Sequence, residues 1–134
     1  NPDIFSHNVE CVERISRRVR NQANWQRSLS VLKKSVNFGL RTKTGMMVGL
    51  GETKEEVLKT MEEVAEIGVE IFTIGQYLQP TKNHIPVERY IGFEEFRSYH
   101  NRGLDLGFKV VESGPLVRSS YHADEHARLT IDVR

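Results

Sequence analysis

Thr44-Gly45-Met46-Met47-Val48-Gly49-Leu50-Gly51-Glu52-Thr53-Lys54-Glu55-Glu56 decides the fold. The stretch Thr44–Leu50 is short and mostly apolar, and it ends in Gly49-Leu50-Gly51, the pattern of a buried strand breaking into a turn. Thr53 and Glu56 then stand at capping-box spacing. In such a box the threonine hydroxyl accepts the amide of the glutamate, and the carboxylate accepts the amide of the threonine. Behind it Val57, Met61 and Val64 recur on one helical face, with Leu58 and Ala65 beside them. Gly68 stands where a left-handed helix C-cap belongs. A strand here feeds a helix through a tight turn.

The alternation continues outward. Downstream, Val69–Leu78 is rich in β-branched and aromatic residues and predicts a second buried strand, stopped by Gln79-Pro80. Thr81–Tyr90, with Pro86, reads as a loop. Phe93–Leu106 predicts a helix closed by Gly107, and Lys109–Glu112 a short strand broken by Ser113-Gly114-Pro115. Upstream, Val9, Val12, Ile15 and Val19 predict a helix over 9–20, and Trp25, Leu29, Leu32 and Val36 a second over 25–36. The predicted order is helix, helix, strand, helix, strand, helix, strand. It implies βαβ units and a parallel sheet, an α/β fold whose chemistry gathers at the carboxyl ends of the strands.

Composition narrows the classes. Of 134 residues, 38% are hydrophobic and 28% charged, which is globular rather than disordered or collagen-like. The length suits one domain, or a large piece of a bigger one. Nineteen Lys and Arg against 18 Asp and Glu leave a net charge of +1, which removes the main argument for a nucleic-acid binder. No apolar run approaches the roughly 18 residues of a membrane span. The opening Asn-Pro-Asp-Ile-Phe lacks the pattern of a signal or transit peptide. The single cysteine, Cys11, excludes an internal disulfide framework and a closed all-cysteine metal site within one chain, and it is compatible with a reducing compartment.

Several residues are candidates for a site, each with a plainer reading. Gly49-Leu50-Gly51-Glu52 could bring backbone amides to an anion at a helix N-terminus, or be a tight turn with Glu52 near the helix dipole. Gln76, Tyr77 and Gln79 could read the edge of a ligand, or cap a strand end. Arg14, Arg17, Arg18 and Arg20 form a basic helical cluster, an anion site or a solvated face. Arg118-Ser119-Ser120-Tyr121-His122 lacks the glycine frame of a nucleophile elbow. His122 and His126 stand at i, i+4 and, with Glu125, have metal-ligand spacing if that segment is helical.

Five segments lie in register with one family: Phe5-Ser6-His7-Asn8-Val9-Glu10, Arg27-Ser28-Leu29, Thr42 through Glu52, Gly75 through Pro80, and Gly114-Pro115-Leu116-Val117-Arg118-Ser119-Ser120-Tyr121. Together they resemble the carboxyl-terminal half of lipoyl synthase, a radical S-adenosylmethionine (SAM) enzyme, from about Phe5 to Asp124. The resemblance implies a partial (β/α) barrel of radical SAM type, here only its C-terminal half, over 1–112, and a C-terminal extension carrying the RSSY motif over 113–134.

It also implies a chemistry. Lipoyl synthases insert two sulfur atoms, at C6 and C8, into an octanoyl chain carried on a lysine of a lipoyl carrier domain, such as the glycine cleavage H protein or the E2 subunits of 2-oxoacid dehydrogenases. Their cofactors are S-adenosylmethionine and two [4Fe-4S] clusters, one cleaving the cosubstrate and one consumed as the sulfur source. Unactivated C–H bonds resist acid–base chemistry, so a radical must be made and shielded from solvent.

By resemblance Ser120 is the auxiliary-cluster ligand, with Ser119 as fallback, and Arg118 sits beside that cluster. Asn8 and Glu10, after a first strand remnant, are expected near the cosubstrate. Lys43, Glu52, Gln76 and Tyr77 are expected on strand ends facing the same cavity, toward S-adenosylmethionine or the octanoyl-lysine arm. Arg20 is expected to meet the cosubstrate carboxylate. Neither a nucleic acid nor a membrane is an expected partner, and the family works in the bacterial cytoplasm or in mitochondria and plastids.

The departure from the family is the absence of its CxxxCxxC and CxxxxCxxxxxC motifs. Cys11 cannot replace six thiolates, and a cluster needs about four ligands. The expectation is a fragment whose missing region precedes Asn1, unable by itself to insert sulfur and exposing an unpaired sheet edge that favours self-association. The rival expectations are a non-catalytic docking module for lipoyl carrier domains and an unrelated (β/α) enzyme holding a phosphorylated ligand at Gly49–Glu52.

Overall fold

The computed structural model describes residues 4–20 and 25–117, and the side chains of all of these except 17–20. In chain order the elements are β1 (Ile4–Ser6), α1 (Glu13–Arg20), α2 (Trp25–Asn37), β2 (Arg41–Val48), α3 (Lys54–Ile67), β3 (Ile71–Gln76), α4 (Phe93–Leu106) and β4 (Val110–Gly114). The described strands form one four-stranded sheet in the order β1-β2-β3-β4, and every neighbouring pair is parallel.

That order fixes where the helices go. Parallel neighbours joined by right-handed crossovers that always step the same way place every helix on the same face. Strand alternation then sorts the side chains. Thr44, Met46 and Val48 of β2 lie in register with Phe72, Ile74 and Gln76 of β3, and Val111 and Ser113 of β4 align with Phe72 and Ile74. This is the helix face. Met46, Val48, Phe72 and Ile74 bury there with Val57, Met61 and Val64 of α3 and Phe96 and Tyr99 of α4. The other face carries Lys43, Gly45, Met47, Ile71, Thr73, Gly75, Val110, Glu112 and Gly114. The sheet does not close. β1 and β4 are its edges among the described residues, which is consistent with the expected partial (β/α) barrel.

The punctuation read from the sequence holds. Thr53 accepts the Glu56 amide at 3.1 Å, and Glu56 accepts the Thr53 amide at 2.8 Å, closing the capping box. Gly68 and Gly107 end α3 and α4, each at φ 104°. The upstream half needs correction. The predicted order omits β1, whose three residues are too short and too exposed to show periodicity. The helix expected from residue 9 begins at Glu13. Val9 and Val12 are buried, at 1% and 2% exposure, but they sit in the connection from β1, so their helical spacing reflects a packed loop. β2 begins at Arg41, three residues before the predicted start, because sheet pairing accepts the polar Thr42 and Lys43.

Candidate functional site

At the carboxyl ends of β2 and β3 the polar groups serve the chain itself. Gly49 takes φ 100°, turning the backbone so that the amides of Gly49 and Leu50 converge. The buried Glu52 carboxylate fills the space between them, accepting Gly49 N at 2.9 Å and Leu50 N at 3.0 Å. The Gly49 carbonyl in turn accepts the Glu88 amide at 2.7 Å. The anion at this turn is the protein's own.

Gln76 and Tyr77 hold the loop that follows them. Gln76 Nε2 donates to the carbonyls of Tyr77 and Arg89 at 2.9 and 3.1 Å, and its Oε1 accepts the Ile91 amide at 2.8 Å. The Tyr77 hydroxyl donates to the Ile85 carbonyl at 2.7 Å, and burial pushes its phenol up to about 12. Gln79 Nε2 donates to the His84 carbonyl at 2.7 Å, and the Thr81 hydroxyl meets His84 Nδ1 at 2.8 Å. Of the two readings open from the sequence, the capped strand end describes this geometry.

The carboxyl end of β1 is different. After Ser6 the chain stays against β2: His7 N donates to Lys43 O, Val9 N to Thr44 Oγ1, Glu10 N to Gly45 O, and Met47 N to Glu10 O at 2.8 Å. Glu10 is 1% exposed and adopts φ 76°, a left-handed conformation that costs a side-chain-bearing residue roughly 1–3 kcal/mol and that gathers at functional sites. Asn8 Oδ1 is buried with no hydrogen-bond partner. A buried acceptor left unmatched costs about 1–3 kcal/mol, and a ligand donor would relieve that cost.

Lys43 is the third residue of β2, opposite Ser6 and Ile71, and half-buried. Lys43 and Gln76 leave the sheet on opposite faces. Lys43 lies on the face opposite the helices and not at a carboxyl end, while Gln76 points with Val48 toward the helix face, under the loop.

Within the basic cluster Arg14 is committed. Its guanidinium donates to both Glu56 oxygens at 2.7 and 2.9 Å and to the Gly51 carbonyl at 2.9 Å, tying α1 to the turn before α3. Those hydrogen bonds hold the Glu56 carboxyl down at about 2. The side chains of Arg17, Arg18 and Arg20 lie outside the described residues, as do Arg118, Ser119, Ser120, His122, Glu125 and His126. His84 has no HExxH spacing to another histidine in the sequence, and no residue type announces the left-handed turn at Glu10.

Among the described residues, no three His, Cys, Asp or Glu side chains gather to hold a metal ion, and Cys11 is buried. These residues do not make an iron–sulfur site.

The Radical SAM superfamily signature matches residues 1–64, from β1 into α3. The lipoyl synthase of Flavobacterium psychrophilum is 55% identical over 127 residues, covering 94% of this chain and 44% of that protein. This chain is similar to the lipoyl synthases along nearly its whole length. The Rubrobacter xylanophilus lipoyl synthase is 56% identical over 126 residues, 92% of this chain and 39% of its own length. The chain thus spans less than half the length of the curated lipoyl synthases it matches. Among solved structures, the Bacillus subtilis HMG-CoA lyase is a slight match, with TM-score 0.42 and 15% identity over 83% of this chain and 45% of that one.

Proposed function

We propose that this chain is the carboxyl-terminal part of a lipoyl synthase. The whole enzyme would insert sulfur at C6 and C8 of a protein-bound octanoyl-lysine, using S-adenosylmethionine and two [4Fe-4S] clusters. Identity of 55% along 94% of the chain carries the reading. When bound, those cofactors supply hydrogen abstraction from an unactivated C–H bond. The chain's own contribution is to bind and orient. Asn8 Oδ1 would accept a hydrogen bond from the cosubstrate, with Glu10 and Lys43 beside it, and Ser120 would offer one oxygen ligand to a cluster, with Arg118 next to it. A polypeptide with one thiol cannot hold two clusters, so the chain by itself would not insert sulfur. Its partners would be octanoylated lipoyl carrier domains, met in the cytoplasm.

The rival phosphate-binding reading is disfavoured because the Glu52 carboxylate already occupies the amides of Gly49 and Leu50. A chimera tests the proposal. The amino-terminal part of the F. psychrophilum enzyme is joined to residues 1–134 and supplied with an octanoylated H protein, and the product is weighed by mass spectrometry. The expected product is the lipoylated carrier, lost in Ser120→Ala. A chimera that binds iron and cleaves S-adenosylmethionine yet leaves the octanoyl group intact would overturn it.

A further inference from the structure

The last two strands end, on the face away from the helices, at a pair of glycines. Gly75 of β3 lies opposite Gly114, the final residue of β4. The chain then reverses through Gly114-Pro115-Leu116-Val117, closed by a hydrogen bond from the Val117 amide to the Gly114 carbonyl at 3.2 Å. This turn lays the Val117 carbonyl onto Gly75. A Cβ at Gly75 would stand 2.3 Å from Val117 O and 3.3 Å from Val117 C. A Cβ at Gly114 would meet nothing nearer than Val117 Cγ2, at an ordinary 3.8 Å.

Two reasons place glycine in a protein, a left-handed backbone or a lack of room. Gly75 does not have the first, since its φ is not among the positive values of this chain. It has the second, and the obstructing atoms are backbone, which cannot swing aside as a side chain would. Gly75 shares the pleat of Thr73 and Ile71, so Val117 crosses on the helix-free face, close to the carboxyl end of β3.

We propose that Gly75 is a positioning residue: it is the seat over which the chain crosses β3 at Val117. Any side chain at 75 would lift that crossing. The seat itself stands on the contact at Val117. The roles of Arg118 and Ser120 rest on the lipoyl synthase reading, and the experiment separates the two.

Hydrogen exchange read by mass spectrometry is measured on the full-length protein as wild type, Gly75→Ala and Gly114→Ala. Peptides spanning 112–117 are expected to exchange at least tenfold faster in Gly75→Ala than in the other two, while peptides of 41–48 keep their protection. Equal exchange in all three overturns the seat, as does a wild type already exchanging freely over 112–117. Equal loosening by both alanines overturns it too, and so does lost protection over 41–48, which would mean that the glycine serves the sheet itself. Bound iron after cluster reconstitution is the second readout, and it should fall in Gly75→Ala and Ser120→Ala but not in Gly114→Ala. Iron unchanged in Ser120→Ala and Gly75→Ala, with faster exchange in the latter, overturns the Ser120 assignment and leaves the seat standing.

Discussion

The carboxyl ends of β1 and β3 stand in the same sheet, and Asn8 after the one and Gln76 at the other are used in opposite ways, although His84 Nε2 in the loop beyond β3 is also buried without a partner. After β3, Gln76 makes three hydrogen bonds and Tyr77 one, all to backbone of the following loop, and across the turn from β2 the Glu52 carboxylate satisfies two amides. After β1, Asn8 keeps a buried acceptor unmatched and Glu10 holds a left-handed backbone. Polar groups that satisfy each other make a frame. Polar groups left unmatched at a strand end are a cost, and the end of β1 is where a ligand would offset it. Residues that all look like site residues in a sequence therefore divide into those that build the rim and those whose polar groups the fold leaves unmatched.

The contrast makes its strongest demand at Gln76. Gln76→Ala should destabilise by about 3 kcal/mol, because it strands the buried Ile91 amide and Tyr77 carbonyl and the part-buried Arg89 carbonyl. Urea unfolding measures this, and a loss below about 1 kcal/mol would break the view of the β3 end as a frame.

A smaller effect is expected from acid. The Glu56 carboxyl is held at about 2, below its ordinary 4.5, by the Arg14 guanidinium. A carboxyl with a depressed folded value stabilises fully above its unfolded value, and that contribution disappears as pH falls from 4.5 toward about 2. Arg14 is 46% exposed in its side chain, so solvent screening leaves about 1 kcal/mol. Glu56→Gln should flatten that part of the stability–pH curve, followed by thermal melts, and should leave stability below about pH 2 nearly unchanged.

The smallest loss of stability belongs to Asn8. Asn8→Ala removes a buried acceptor that satisfies nothing, so stability should hold or rise, by about 1 kcal/mol or more. In the full-length protein the same substitution should weaken S-adenosylmethionine binding about tenfold, the worth of one hydrogen bond, by titration calorimetry. A stability loss above about 1 kcal/mol with unchanged binding would erase the contrast between the two strand ends.

Much of the frame was legible beforehand because it is local. The capping box at Thr53 and Glu56, the C-caps at Gly68 and Gly107, and the alternation from β2 to β4 depend on residues within a few positions of one another. The β1 segment was not, since three residues carry no periodicity and their partners lie in β2, more than 30 positions away. Glu52, Gln76 and Tyr77 were legible as polar residues at strand ends but not in what they bond, because the carbonyls and amides that use up Gln76 and Tyr77 come from the loop folded back over them.

What the sequence determined alone is the parallel α/β plan, through punctuation and hydrophobic spacing, and the kinship with lipoyl synthases, through five motifs in register. What only the tertiary structure decided is which polar groups are satisfied and which are not, and which glycine is there for room rather than for its backbone. Those are properties of distance between segments remote in sequence, such as Val117 on Gly75 or Ile91 on Gln76. No local pattern encodes them, because the physical quantity that matters is the space left when the strands and loops have packed.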